Sequence, residues 1–195
     1  MALFRSIAAP EPAALIAGEG VLLRAPRPSD FEEWAALRQA SRAFLVPWEP
    51  VWPADDLTRA AFRRRLRRYA AEMRADQAYP FFVVRRADHV LMGGITLSSV
   101  RRGVSQAATL GYWMGERHAG RGHMTAAVRA LVPFAFDTLR LNRVEAACLP
   151  HNAASMRLLG KAGFRQEGLA RRYLCINGVW QDHVLFALVR GDPLP

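Results

Sequence analysis

Apolar positions 124, 127, 128, 131, 132, 135 and 139 fall on one helical face, so the pattern predicts a long helix over residues 124–139. Pro133 lies inside that stretch. Because proline removes a backbone donor and crowds the preceding turn, a kink or an early end is expected there. The run before it, residues 107–114, reads as a strand. Two further β-rich runs, 79–84 and 90–98, flank a hairpin turn at 85–89, and Arg101-Arg102-Gly103 marks the next turn. Earlier still, residues 21–24 make a short strand stopped by Pro26 and Pro28. Ser29 with Glu32 then forms a capping box for a helix carrying Phe31, Trp34, Ala35 and Leu37 on one face. Asp55 and Asp56 stand as N-cap and first-turn acid before a helix over 57–75, whose stripe is Leu57, Ala61, Phe62, Leu66, Tyr69 and Met73. Between these helices, residues 44–53 hold three prolines and read as irregular, with Trp48 and Trp52 either packed on the core or lining a ligand cleft.

Beyond the long helix the pattern gives a strand at 144–149 stopped by Pro150, and a short amphipathic helix at 153–162 closed by Gly163. Residues 164–167 are extended. Runs 171–176 and 179–189 form a hairpin on Asn177-Gly178, the dipeptide suited to a type I′ turn. The order is strand, two helices, three antiparallel strands, long helix, strand, helix and closing hairpin. That makes one domain over 21–190, preceded by an irregular arm at 1–20, rich in proline and glycine, and followed by a tail at 191–195. A chain of 195 residues, half of them apolar, is long enough for one sizeable core.

The chemistry concentrates in residues 115–125, Gly-Glu-Arg-His-Ala-Gly-Arg-Gly-His-Met-Thr. Gly120-Arg121-Gly122 is the turn from strand into helix. There the first helical N–H groups have no partner within the helix, and glycine lets backbone approach a ligand. That combination makes an anion site, most naturally for phosphate. The third glycine of a dinucleotide loop and the Gly-Lys-Ser/Thr of a P-loop are both missing, and two glycines alone also fit a plain tight loop.

Composition narrows the setting. Cys148 and Cys175 are too few for a disulfide framework and lack metal-ligand spacing, so no metal and a reducing cytoplasm are expected. The N-terminal apolar stretch is broken by Pro10, Glu11 and Pro12 and reads as neither signal peptide nor membrane span. A net charge of +10 calls for an anionic partner. Lys161 is the sole lysine, however, so the arginine content fits genome composition as well as binding, and the phosphates of a coenzyme as well as RNA. Arg63, Arg64, Arg65, Arg67 and Arg68 mostly face outward on their helix, either as a solvated face or as a contact to RNA, phosphate or an acidic partner.

Arg117-x-x-Gly120-x-Gly122, between strand and helix, resembles the pyrophosphate loop of the GCN5-related N-acetyltransferases (GNAT), which bind acetyl-coenzyme A. The segment from Leu149 through Asn152 and Ser155 to Gly163-Phe164, followed by Glu167 and Gly168, resembles the asparagine-containing strand-to-helix segment of the same superfamily. Residues 44–51, 149–152 and 173–184 are similar to the bacterial ribosomal-protein-alanine N-acetyltransferases, and the similarity runs over about residues 20–190. The resemblance implies a single α/β GNAT domain with a mixed sheet. In that fold the strand before the loop and the parallel strand after the long helix splay apart, and acetyl-CoA enters between them. It also implies transfer of acetyl to the N-terminal α-amine of a protein, foremost a ribosomal protein beginning with alanine. Related branches act on aminoglycosides or polyamines, and the scarcity of acidic residues here counts mildly against such cations. A fold-keeping protein of weak catalysis, docked on RNA or the ribosome through the arginine-rich helix, is the third reading.

By the same resemblance, the cofactor is held by Met114, Gly115, Arg117, His118, Ala119, Gly120, Arg121, Gly122, His123, Met124 and Thr125. Asn152 and Ser155 match positions near the pantetheine arm and sulfur, although as residues they also read as an N-cap and a helix-surface hydroxyl. The catalytic candidates are Glu167 as a water-relayed base, which also reads as a surface carboxylate paired with Arg165 or Arg171, with Ser155 and Asn152. Many GNAT enzymes carry a tyrosine seven residues after the asparagine to protonate the thiolate. Here that position is Leu159, which leaves Ser155 or a water. Trp48, Glu49 and Tyr112 are the candidates for the acceptor side.

Overall fold

The computed structural model describes residues 15–193. Eight strands form one mixed sheet: β1 (Ile16–Gly18), β2 (Val21–Arg24), β3 (Tyr79–Arg85), β4 (Leu91–Arg101), β5 (Ala107–Met114), β6 (Arg143–Cys148), β7 (Arg165–Ile176) and β8 (Val179–Val189). Their order is β1-β2-β3-β4-β5-β6-β8-β7, and every pairing is antiparallel except β5 with β6. Helices α1 (Phe31–Ala40), α2 (Arg42–Leu45) and α3 (Arg59–Arg74) lie between β2 and β3 in sequence, α4 (His123–Pro133) between β5 and β6, and α5 (Ala153–Lys161) between β6 and β7.

The alternation along β3 sorts the two faces of the sheet, since successive side chains point to opposite sides. Phe82 and Val84 join Trp34, Leu37 and Phe62 of α1 and α3. Phe81 and Val83 join the larger core with Val128, Leu131 and Leu159 of α4 and α5. A buried side chain of this size contributes about 1.5–3 kcal/mol, so each helix layer is held chiefly by its apolar stripe.

Several elements differ from the sequence pattern for local reasons. Residues 16–18 of the expected irregular arm pair with β2 and extend the sheet, so the folded unit starts before residue 21; residues 1–14 of that arm lie outside the described residues. The start of α1 is fixed by Asp30 rather than by Ser29 and Glu32: Asp30 accepts from the Arg27 N–H at 2.7 Å and pairs with both Arg24 nitrogens. Asp55 and Asp56 do not cap α3. Thr58 does, accepting from the Ala61 N–H at 3.2 Å, and the two aspartates pair with Arg64 and Arg65. Within 44–53, α2 and a 3-10 turn at Val46–Trp48 accommodate the prolines at their edges. Apart from Phe164, the expected runs 164–167 and 171–176 belong to one strand, β7, with register shifts after Gln166 and Ala170.

Pro133 acts as expected. The α-helix ends there and the chain continues as a π turn, Phe134–Thr138, in which the Leu139 N–H reaches back to the Phe134 carbonyl. The missing proline donor makes the wider turn the better-satisfied continuation.

Candidate active site

The parallel strands β5 and β6 are paired only at Ala107↔Arg143, Ala108↔Val144 and Thr109↔Glu145. Past Thr109 they part, so the stretch of β5 up to Met114 has no neighbour on its β6 side. Parting strands leave backbone groups facing a cleft, where a ligand can take their place.

The loop after Met114 closes one end of that cleft. A 3-10 turn, Glu116–His118, leads into Gly120 and Gly122, whose φ angles of +71° and +82° are left-handed and favour glycine. A Cβ on either glycine would meet no protein atom within 4 Å, so open space lies above both. Ala126 is the first residue of α4 whose N–H finds a helical carbonyl, that of Gly122. The preceding donors, on Gly122, His123, Met124 and Thr125, have no carbonyl within the helix, and they lie at the positive end of the α4 dipole. Free donors at a helix N-terminus can cradle a phosphorylated ligand.

Two contacts set the loop's position. The Glu116 N–H donates to the buried Ser41 hydroxyl at 3.0 Å, tying the loop to the end of α1. A side chain at Gly115 would strike Leu37, so that glycine answers to packing as well as to any ligand. His118 is buried, and its Nε2 accepts from the Arg117 Nε at 3.0 Å. Burial and the charges of Arg117, Arg85, His123 and Arg121 hold its pKa below the ordinary histidine value. A neutral imidazole orients Arg117 without adding to an already cationic loop.

Across the cleft, Asn152 caps α5 by accepting from the Ser155 N–H at 3.0 Å. That bond fixes the first turn so that the Ser155 hydroxyl lies 2.6 Å from the Tyr112 hydroxyl of β5. Burial pushes the Tyr112 phenol up to about 12, against a lowering contribution from Ser155. Cys148 sits beside the pair, its thiol also pushed up by burial.

The third wall is the segment after α2. Trp48 lies 5.4 Å from His151, centroid to centroid, and the Glu49 carbonyl accepts from the Asn177 N–H of the β7–β8 turn at 2.9 Å. Its anchor is Arg38 of α1. That buried guanidinium forks onto both Glu49 oxygens at 2.7 and 2.8 Å and stacks between Trp52 at 4.0 Å and Trp113 at 4.9 Å. Trp52 Nε1 donates to the same carboxylate at 2.7 Å. Trp52 is thus packed on Arg38, while Trp48 packs on His151 beside the α5 cap; both are half-buried.

With this geometry in view, a sequence profile described as the acetyltransferase (GNAT) domain matches residues 21–165. The chain belongs to the GNAT acetyltransferase family. It is 36% identical over 178 residues to the probable N-acetyltransferase YjcK of Bacillus subtilis (strain 168), spanning 91% of this chain and 98% of that one. It is 35% identical over 155 residues to the ribosomal protein uS5-alanine N-acetyltransferase of Escherichia coli (strain K12), spanning 80% of each. Among solved structures, Mycobacterium smegmatis RimJ in complex with CoA-disulfide superposes with a TM-score of 0.84 at 31% identity, covering 92% of this chain and 88% of that one. The mixed sheet with a parallel β5–β6 pair is the GNAT fold, and the protein is a GNAT N-acetyltransferase that uses acetyl-CoA.

Residues 114–125 run from the end of β5 into α4, Asn152 and Ser155 stand at the start of α5 after β6, and Tyr112 of β5 reaches Ser155. Glu49, expected on the acceptor side, has both oxygens committed to Arg38 and Trp52 and works as an anchor. Glu167, expected as a base, is not brought to this group. It lies on β7, with β8 and β6 between it and β5, and forks onto Arg143 beside the pairs that hold β5 and β6 together. The Arg143 hydrogen bonds hold its carboxyl below the ordinary glutamate value, which makes it a weak proton acceptor. Arg38 escaped the sequence reading because nothing in the α1 pattern separates it from a surface arginine. Among the described residues no cluster of metal-ligating side chains occurs, and no helix is long and apolar enough to cross a membrane.

Proposed function

We propose that this enzyme acetylates the N-terminal α-amine of a protein, and that its acceptor is a cytoplasmic ribosomal protein beginning with alanine. The observation carrying this reading is the pairing of Glu49. Glu49, next to Trp48 in the chain, is matched by Arg38, so this carboxylate is not free to hold the cation of an aminoglycoside or polyamine. An α-amine has a pKa near 8, so roughly a tenth is neutral at pH 7 and needs no strong base. The similarity to the uS5-alanine enzyme supports the same acceptor class.

In this reading the N–H groups after Gly120, with Arg117 and Arg121, hold the coenzyme's phosphates, and acetyl-CoA brings an activated acyl group. Asn152 fixes the first turn of α5, and Ser155 faces the sulfur. The RNA-docking alternative loses most of its charge in the fold. Of the seven arginines on α3, Arg59, Arg64, Arg65 and Arg68 pair with Glu32, Asp55, Asp56 and Glu72.

The test is acetyl-CoA-dependent thiol release across short peptides differing only in their first residue, with polyamines and aminoglycosides alongside and product masses checked. Turnover confined to peptides beginning with alanine or a similarly small residue is the expected result. Turnover on the small polyamines alone overturns the acceptor class.

A further inference from the structure

We propose that Tyr112 is a positioning residue for the leaving group, acting through Ser155, so that the tyrosine missing from α5 is supplied instead by β5. The inference rests on the placement of Ser155 at the sulfur given above. It does not depend on which amine is the acceptor.

Position 159, where a GNAT tyrosine would stand, is a leucine with 0% exposure packed in the main core, so no acid can act from there. Tyr112 occupies β5 three residues beyond its last pairing with β6, on the face shared with Leu110 and Met114. Its hydroxyl meets Ser155 at 2.6 Å, joining one wall of the cleft to the other. Between a phenol and an alcohol, the phenol is the stronger acid and therefore the better donor. Tyr112 then donates to the Ser155 oxygen, which leaves the serine hydrogen free to point into the cleft. Burial keeps the phenol protonated throughout the neutral range. The Asn152 cap holds the serine backbone, and with Tyr112 on its oxygen the serine proton turns either into the cleft or toward the neighbouring Cys148.

The transfer balances. The amine nitrogen bonds to the acyl carbon, and the carbon–sulfur bond breaks with its electron pair on sulfur. The Ser155 proton passes to sulfur and the Tyr112 proton passes to Ser155. The proton shed by the amine nitrogen returns through solvent to the phenol. The products are an amide and a free thiol.

Single-turnover acetyl transfer would be measured for wild type, Tyr112→Phe, Ser155→Ala and the double variant, using whichever amine the wild type accepts. Thermal melts would confirm that each variant folds. Each would be run with acetyl-CoA and with the acetyl thioester of a coenzyme A analogue bearing a fluorinated, more acidic thiol. Tyr112→Phe should slow the acyl step by at least about tenfold, within the usual reach of proton-transfer catalysis, with acetyl-CoA affinity unchanged. The acidic thiol should recover most of that loss, because it leaves without help. The double variant should be no slower than Ser155→Ala, since the two act as a unit. Equal losses with both thioesters, additive losses in the double variant, or full activity of Tyr112→Phe would each overturn the proposal. Failure of the peptide acceptors alone would overturn only the acceptor assignment.

Discussion

Replacing Arg38 by methionine would leave the Glu49 carboxylate with the Trp52 N–H but without its counter-charge. Breaking one side of a buried ion pair costs about 3–5 kcal/mol, and the stack on Trp52 would be lost as well. Arg38→Met should therefore lower the urea midpoint steeply, whereas Glu49→Gln, which keeps the shape and some of the hydrogen bonds, should lower it less. Equal midpoints for wild type and Arg38→Met would show that the network does not hold the loop. This is also the scale at which the sequence was hardest to read. Glu49 and Glu167 were singled out only by resemblance, as an acceptor-side residue and a base, because their partners lie 11 and 24 residues away and only the fold brings them together. Tyr112 and Trp113 are adjacent in sequence yet serve opposite faces of β5, one meeting Ser155 and the other Arg38.

At the level of elements, the β5–loop–α4 unit was legible almost entire. An apolar strand, left-handed glycines and a helical repeat announce themselves by local rules. Gly122 carries the prediction here. With φ at +82°, valine is strained at that position, and its side chain would fill the open space above the loop. Gly122→Val should abolish coenzyme A binding by calorimetry, at a stability cost of roughly 1–3 kcal/mol, and unchanged affinity in a folded variant would place the anion site elsewhere. The kinked end of α4 was equally legible, because Pro133 acts locally. The course of β7 was not. Its register shift after Ala170 places Arg172 at a φ of +45°, with its N–H donated to Asp182. Such a bulge, flanked by Arg171 and Arg172, blunts the free edge of the sheet against pairing with another chain.

Across the whole molecule, acid should act in two stages. His118 has a depressed pKa when folded, so the unfolded chain takes up the proton first, and stability falls as pH drops below about 6.5. In Asp76 and Glu145 burial works to raise the pKa, but the guanidinium groups of Arg102, and of Arg101 and Arg143, win and depress it. Their contribution is present above the ordinary carboxylate pKa of about 4 and is lost as pH falls below it toward their depressed folded values. Melting temperature followed from pH 8 to 3 should show both declines, and His118→Asn should remove the first; a flat profile between pH 7 and 5 would contradict the assignment.

The sheet is effectively two plates, β1 to β5 and β6 to β8, buttoned together along three residue pairs. A coenzyme lodged in the gap acts as a clasp between the plates. Held at a hundredfold above its dissociation constant, it adds about 2.7 kcal/mol to the folded state. Fuel supply and protein endurance would thereby be joined: the same enzyme would resist unfolding and proteolysis better when its acyl donor is abundant than when it runs low.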